Sequence, residues 1–414
     1  MKEKLYNLTI RGSATIIKLA FTLFLGSIFT ESEFGLYSLI ISSIYISLIL
    51  IGFDVYLDCN RKIIQKEETK EQAFILNNQL ASYIPFYFLF SIVIFFIPER
   101  IIPKEFIFLF FSVSIIEHLN SEIFRLLLAL RKTVIANLLF FIRNGLWPLV
   151  ILVLYYFNFQ FNISILLSYW LYASILALII GLIFLRKKYK LDLSLIDKKT
   201  IIASYKYAFI FFIGTIAYKI VEFSDRYFID YYLDKESVGV YSLYSQFGSV
   251  LNTIIFTIVI SIGYPKLLKA IYSNNLKQII KERNNMLMEI VIISILTLLG
   301  GYLILDTLLA IIDKPLYFKF NYLFYLVIIS NIIFNLSYVY HFIMIGYQKD
   351  FKITILTLIG AAINIILNII LIQKYGIIGA IFSKTFAFLF ILISKYLMQD
   401  KLISGTRTSL NHQT

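Results

Sequence analysis

The phrase E-F-G-L-Y-S-L at residues 33–39 returns as S-V-G-V-Y-S-L at residues 237–243. Gly35, Tyr37, Ser38 and Leu39 recur at Gly239, Tyr241, Ser242 and Leu243, an offset of 204 in a chain of 414 residues. Each copy follows an apolar segment and an acidic stretch, Glu31 with Glu33 and Asp234 with Glu236, and opens another apolar segment. A repeat at half the chain length, in so apolar a chain, predicts a membrane transporter built from two related helix bundles.

Composition points the same way. Hydrophobic residues make up 59% of the chain and charged residues 15%, against about 45–50% and about 25% in soluble domains. One soluble core cannot bury that excess, so lipid is expected to solvate much of it. The net charge of +13 is carried by residues lying between apolar segments. These read as topology signals facing anionic lipid, not as a nucleic-acid surface. Six prolines and the lack of a Gly/Ser-rich run leave no separate soluble domain. Cys59 is the single cysteine, and His118, His341 and His412 are scattered. Neither a disulfide framework, a metal site nor a cofactor is expected. The first apolar run contains Lys18 and has no A-x-A-like cleavage site, so it reads as an uncleaved membrane helix.

Twelve stretches are long enough to span a bilayer at roughly 20 residues each. They lie near 8–29, 34–56, 74–97, 106–129, 134–157, 163–185, 207–232, 238–263, 286–312, 320–346, 352–372 and 377–398. With the N-terminus inside, 26 of the 38 basic residues fall on inner segments, seven on outer ones and five within spans. That asymmetry places both termini in the cytoplasm. The basic run from Arg186 to Lys206 lies between spans six and seven. It divides the chain into a first bundle (1–190), a cytoplasmic linker (191–206), a second bundle (207–400) and a cytoplasmic tail (401–414). Outer connections are short, which argues against a polymerase or other glycan-assembly enzyme with its chemistry on a long external loop. No G-x-x-x-x-G-K-[ST] motif is present, so ATP hydrolysis through a P-loop is not expected.

Charges within spans are costly, so such residues usually face a polar cavity or a partner. Arg11, Thr15, Lys18 and Thr22 share one stripe of the first span. Arg11 can snorkel to the inner interface, whereas Lys18 sits too deep and is expected to face a cavity. In span seven, Lys219, Glu222, Arg226 and Asp230 share a face with alternating sign. This supports either internal pairing or ligand contact, and Arg226 is expected to be the better partner of Glu222. Span four carries Glu117, His118, Glu122 and Arg125, with Glu122 and Arg125 able to pair. A buried histidine such as His118 is more often structural than a proton relay. Arg143 in span five and Lys384 in span twelve have no obvious acidic neighbour. A cavity lined by Lys18, Arg143 and Lys384 would be cationic and suit a phosphate or pyrophosphate. Lys219 and Arg125 complete the candidate substrate-binding set, and Glu117, His118, Glu222 and Asp225 are the ion-coupling candidates. Asn331, Asn335 and Tyr338 in span ten, and Gly360, Asn364 and Asn368 in span eleven, read first as contacts between helices.

Several motifs in order carry a resemblance. They are G-L-Y-S-L at 35–39, D-R-Y-F-I at 225–229 with V-G-V-Y-S-L at 238–243, Pro265, I-G-A-A-I-N-I-I-L-N at 359–368 and Y-G-I-I-G-A at 375–380. Together the chain resembles the polysaccharide-transport branch of the multidrug/oligosaccharidyl-lipid/polysaccharide exporter superfamily, and within it bacterial O-antigen flippases of the Wzx type. The resemblance implies an all-α integral membrane protein of 12 transmembrane helices, in two pseudo-symmetric six-helix bundles around a central cavity. It implies a non-enzymatic flippase of the bacterial inner membrane, moving an undecaprenyl-pyrophosphate-linked oligosaccharide by alternating access. The polymerase and chain-length components of the same glycan pathway are implied partners. Relatives that flip the peptidoglycan precursor use arginines in the first two spans. Here the second span offers only Asp54 and Asp58 before Arg61, which argues against that cargo. The competing readings are a drug/cation antiporter of the same superfamily, which would want an acidic cavity, and a membrane polymerase.

Overall fold

The computed structural model describes residues 2–186, 189 and 192–411, with backbone alone for residues 2–9, 11, 193, 401 and 403–411. Lys187, Lys188 and Lys190 of the basic join lie outside the described residues, as do the side chains of Lys2, Lys4, Arg11, Lys401 and Arg407.

The described residues are helical, without a strand. In chain order the helices are α1 (Lys2–Ile28), α2 (Glu31–Gly52), α3 (Tyr56–Gln65), α4 (Thr69–Val93), α5 (Ile107–Ala129), α6 (Thr133–Phe141), α7 (Trp147–Tyr156) and α8 (Ile163–Arg186). They continue with α9 (Lys198–Tyr232), α10 (Lys235–Ile255), α11 (Ser261–Tyr272), α12 (Leu276–Ile312), α13 (Pro315–Lys319), α14 (Leu323–Gly346), α15 (Asp350–Tyr375) and α16 (Ile377–Asn411). A π-helical turn, Ile142–Leu146, joins α6 to α7, and another, Phe256–Ile260, joins α10 to α11. Each pair is therefore one span. Among the described residues, eleven helices are long and apolar enough to cross a membrane, and Gly12–Ile28 is a shorter apolar one. The chain is a multi-pass membrane protein, and the expected twelve spans are all present. Lipid-facing positions carry exposed apolar side chains such as Phe88, Phe96 and Leu303. That is stable only in a hydrocarbon solvent.

The ends of the elements differ from the sequence reading. Span two stops at Gly52 because Phe53 and Asp54 adopt positive φ, 47° and 51°. The chain then forms α3, a short amphipathic helix that hydropathy did not separate from its surroundings. Asp58 on α3 pairs with Lys62 at 2.5 Å and accepts the Ser204 hydroxyl at 2.6 Å. The helix α9 begins at Lys198 rather than 207, α11 runs to Tyr272 rather than 263, and α12 begins at Leu276 rather than 286. Hydropathy registers only apolar turns, whereas the backbone hydrogen-bond ladder continues through charged ones. Asp197 caps α9, accepting from the Thr200 hydroxyl at 2.6 Å and its N–H at 2.9 Å. These bonds hold its carboxyl below the usual carboxylate range.

Two compact units emerge. The first comprises residues up to Phe21 with Leu36–Ile216, and the second Thr22–Gly35 with Ala217 onward. In the first, Val55, Leu126, Leu127, Ala136 and Ala177 are fully or almost fully buried. In the second, Ala217, Val221, Ala361 and Ala387 let helices approach closely around Phe334 and Phe388.

The repeated phrase is a capped helix start in both copies. Thr30 and Glu33 exchange bonds, Thr30 N–H to the carboxylate at 2.8 Å and Glu33 N–H to the hydroxyl at 3.2 Å. At the equivalent position Asp234 accepts from Ser237 N–H at 2.7 Å. Within the second unit these two helix starts cross glycine to glycine. A Cβ on Gly35 would collide with the Lys235 carbonyl, and one on Gly239 with that of Glu31. The phrase Y-G-I-I-G-A has a similar cause. Gly376 ends α15 at φ 58°, and a Cβ on Gly379 would strike the Leu371 carbonyl.

Candidate functional site

In the second unit, α9, α10, α14 and α16 line a partly open pocket. Glu222 and Arg226 of span seven and Lys384 of span twelve supply its charge. Lys219 shares the helix face of Glu222 and Arg226 but does not line the pocket. Aromatic walls come from Tyr218, Phe223, Tyr241, Phe334 and Phe388, and polar groups from Ser245, Ser249, Asn252, Ser330 and Asn331.

Asp225 is the centre of the adjoining network and is fully buried. Lys384 approaches its Oδ2 at 2.7 Å. The same ammonium donates to the Glu222 carbonyl at 3.0 Å and to the Tyr241 hydroxyl at 3.1 Å. Tyr241 in turn donates to Asp225 Oδ2 at 2.5 Å. Asn368 donates to Oδ1 at 3.1 Å and Asn364 at 3.5 Å. Thus the small-polar stripe of span eleven does join helices, as expected, and it does so by solvating a buried carboxylate. The stripe of span ten behaves alike: Asn252 bridges Asn331 at 2.8 Å and Asn335 at 2.6 Å.

Two expectations are overturned here. Lys384 is not an isolated cation, because Asp225, seven positions before Tyr232 on another helix, meets it in space. Glu222 pairs with Lys219 at 2.6 Å, not with Arg226. Arg226 reaches the Glu222 carbonyl at 3.5 Å, and its guanidinium lies 5.6 Å from the centre of the Tyr241 ring.

In the first unit, Glu117 accepts from Trp170 Nε1 at 3.0 Å and Ser174 Oγ at 2.6 Å. Its other oxygen lies 3.3 Å from Arg143. Arg143 therefore also has an acidic partner, contrary to expectation. It sits on the π-helical turn Ile142–Leu146, and its Nε and second terminal nitrogen have no hydrogen-bond partner among the described residues. Such turns displace a side chain from its regular helical position. Glu122 pairs with Arg125 at 2.5 Å, as expected, and accepts from Tyr83 at 2.7 Å and Gln79 at 2.8 Å. Arg125 stacks on Tyr56, 3.9 Å from the ring centre. His118 shares a 2.7 Å hydrogen bond with Tyr87. Lys18 is exposed and reaches the Tyr45 hydroxyl at 3.5 Å.

Sequence reasoning missed Tyr241, Trp170, Tyr83 and Asn252 as members of these networks. Tyr241 was visible as part of the repeat; the others carried no local signal.

The family model described as polysaccharide biosynthesis protein matches residues 1–270. The chain belongs to this family. No curated protein matches the sequence. Among solved structures, an inward-facing multidrug resistance MATE family transporter of the MOP superfamily is similar with a TM-score of 0.74 at 11% identity, covering 98% of this chain and 99% of that one. Lipid II flippase MurJ in an inward closed conformation gives 0.71 at 16% identity, covering 95% and 87%. A MOP superfamily transporter from Pyrococcus furiosus, described by the reverse polarity of its binding pocket, gives 0.70 at 11% identity, covering 98% and 95%. The fold is that of these MOP superfamily structures, and the family is that of the polysaccharide biosynthesis proteins.

Proposed function

We propose that this chain is a flippase for an undecaprenyl-pyrophosphate-linked oligosaccharide, an O-antigen or similar repeat unit, in the bacterial inner membrane. It works by alternating access, with both termini cytoplasmic, beside the polymerase and chain-length components of the same pathway. The observation that carries the reading is the wall of the second-unit pocket, where Arg226 and Lys384 stand among aromatic rings, hydroxyls and amides. Sugar rings offer C–H faces to aromatic side chains and hydroxyls to amides, while phosphate oxygens take charge-assisted bonds from guanidinium and ammonium groups. Arg143, with two unpartnered donors, is a second anion contact in its own unit. Lys18, Arg125 and Lys219 remain proposed substrate contacts, and Glu117, His118, Glu222 and Asp225 proposed ion-coupling groups. A cation antiporter would need a carboxylate free to take a cationic drug. In the second unit Lys219 neutralises Glu222 and Lys384 neutralises Asp225.

The test is surface-glycan export by Arg226→Ala, Arg226→Lys and Arg143→Ala, with membrane content measured in parallel. Export should fall about tenfold or more in both alanine variants, about 1.4 kcal/mol or more of lost interaction, with partial retention in Arg226→Lys. Undiminished export in both alanine variants would contradict the proposed anion contacts.

A further inference from the structure

His341 and Lys395 form a contact that neither the family nor the pocket explains. Lys395 Nζ lies 3.2 Å from His341 Nδ1, linking α16 to α14. Lys395 is 6% exposed although it is a lysine. Among the described residues no carboxylate pairs with it. The charged groups of neighbouring helices are engaged elsewhere or exposed, save Asp350 at the start of α15, which is half-buried and forms no ion pair with Lys395. Glu282 on α12 accepts from Gln278, Arg283 donates to Asn284, and Lys266, Lys269 and Lys352 face outward. On α14 itself the rings of Tyr338 and Phe342 flank His341.

Two basic groups in hydrogen-bond contact, one of them buried, hold one proton between them. A lysine ammonium can donate to Nδ1 only if the ring is neutral, and a second positive charge at this distance would be repelled without a carboxylate to offset it. An aromatic contact leads from the pair towards the pocket. Tyr338 stands one turn before His341, their ring centres 6.2 Å apart, and is hydrogen-bonded to Tyr218 on the pocket wall beside Glu222.

We propose that Lys395 and His341 form a binding site for a single proton, and that this proton is the ion whose movement drives transport. The inference rests on the transporter reading and names its coupling ion. Loaded, the ammonium donates to the imidazole. Unloaded, the proton has passed to water and a neutral amine faces a neutral ring.

The first test needs no substrate. Nitrogen-15 histidine spectra of the full-length chain in lipid nanodiscs are recorded from about pH 5 to about pH 9, the range in which histidine and its perturbed neighbours titrate. His341 should shift in one step as the shared proton leaves, and Lys395→Met should abolish that step while leaving His118 unchanged as evidence of folding. Identical His341 titration in wild type and Lys395→Met overturns the site. The second test measures glycan export with and without nigericin, which collapses the proton gradient. Wild type should lose export several-fold on nigericin. Lys395→Met and His341→Phe should export several-fold less and respond no further. Wild-type export with a wild-type nigericin response in both variants overturns the coupling role. If the wild-type chain exports no glycan, the flippase reading fails while the spectra still decide the proton site.

Discussion

Asp225 carries the heaviest demand of any side chain in the second unit, since a buried carboxylate is tolerated only when its charge and lone pairs are met. Removing one member of such a pair costs about 3–5 kcal/mol, because the other is left uncompensated. Lys384→Met or Asp225→Asn should therefore lower thermal stability by that order in detergent. The double variant should recover much of the stability and none of the export, because Lys384 also lines the pocket; full recovery of both would make the pair structural only. Lys219 and Glu222 make a different case. They face each other directly, so exchanging them keeps the ion pair and should restore the stability lost in either single variant. Export should stay low, because the exchange moves the cation away from the proposed substrate contact; recovery of export in the exchange variant would make the pair structural only. Spacing along one helix revealed Glu122 with Arg125, and Lys219 near Glu222. It could not reveal Lys384 with Asp225 or Arg143 with Glu117, because those partners come from different spans and meet only through packing.

Helix starts show how a short repeat becomes architecture. The cap, acidic turn and glycine recur 204 residues apart because both copies must begin a helix and then let another backbone approach. Overpacking such a contact typically costs about 1–3 kcal/mol. Gly35→Ala and Gly239→Ala should each lower thermal stability by that amount. Gly300→Ala, where an added Cβ meets nothing, should be neutral or mildly stabilising. Equal, negligible shifts at Gly35 and Gly300 would refute the crossing. Span number and order were legible because twelve apolar runs are separated by charge. The break at Phe53–Asp54, the helix α3 and the π-helical turn at Arg143 were not, since each depends on backbone geometry that hydropathy does not encode.

Orientation and cargo concern the chain in its bilayer. The basic-residue asymmetry predicts Glu68 inside and Gln160 outside. Cys59 is buried, so its silence towards a thiol reagent would be uninformative. In a Cys59→Ser background, an impermeant reagent on intact cells should label Gln160→Cys and spare Glu68→Cys; the reverse pattern would invert the topology and the transport direction. The likeness to MATE and MurJ structures fixes the fold without deciding what is carried. The central claim is tested most directly by deleting the gene and analysing lipid-linked intermediates. The flippase account predicts that an undecaprenyl-pyrophosphate-linked oligosaccharide accumulates on the cytoplasmic leaflet and clears when the wild-type chain is restored. Unchanged lipid-linked glycans, with altered resistance to cationic drugs instead, would contradict it.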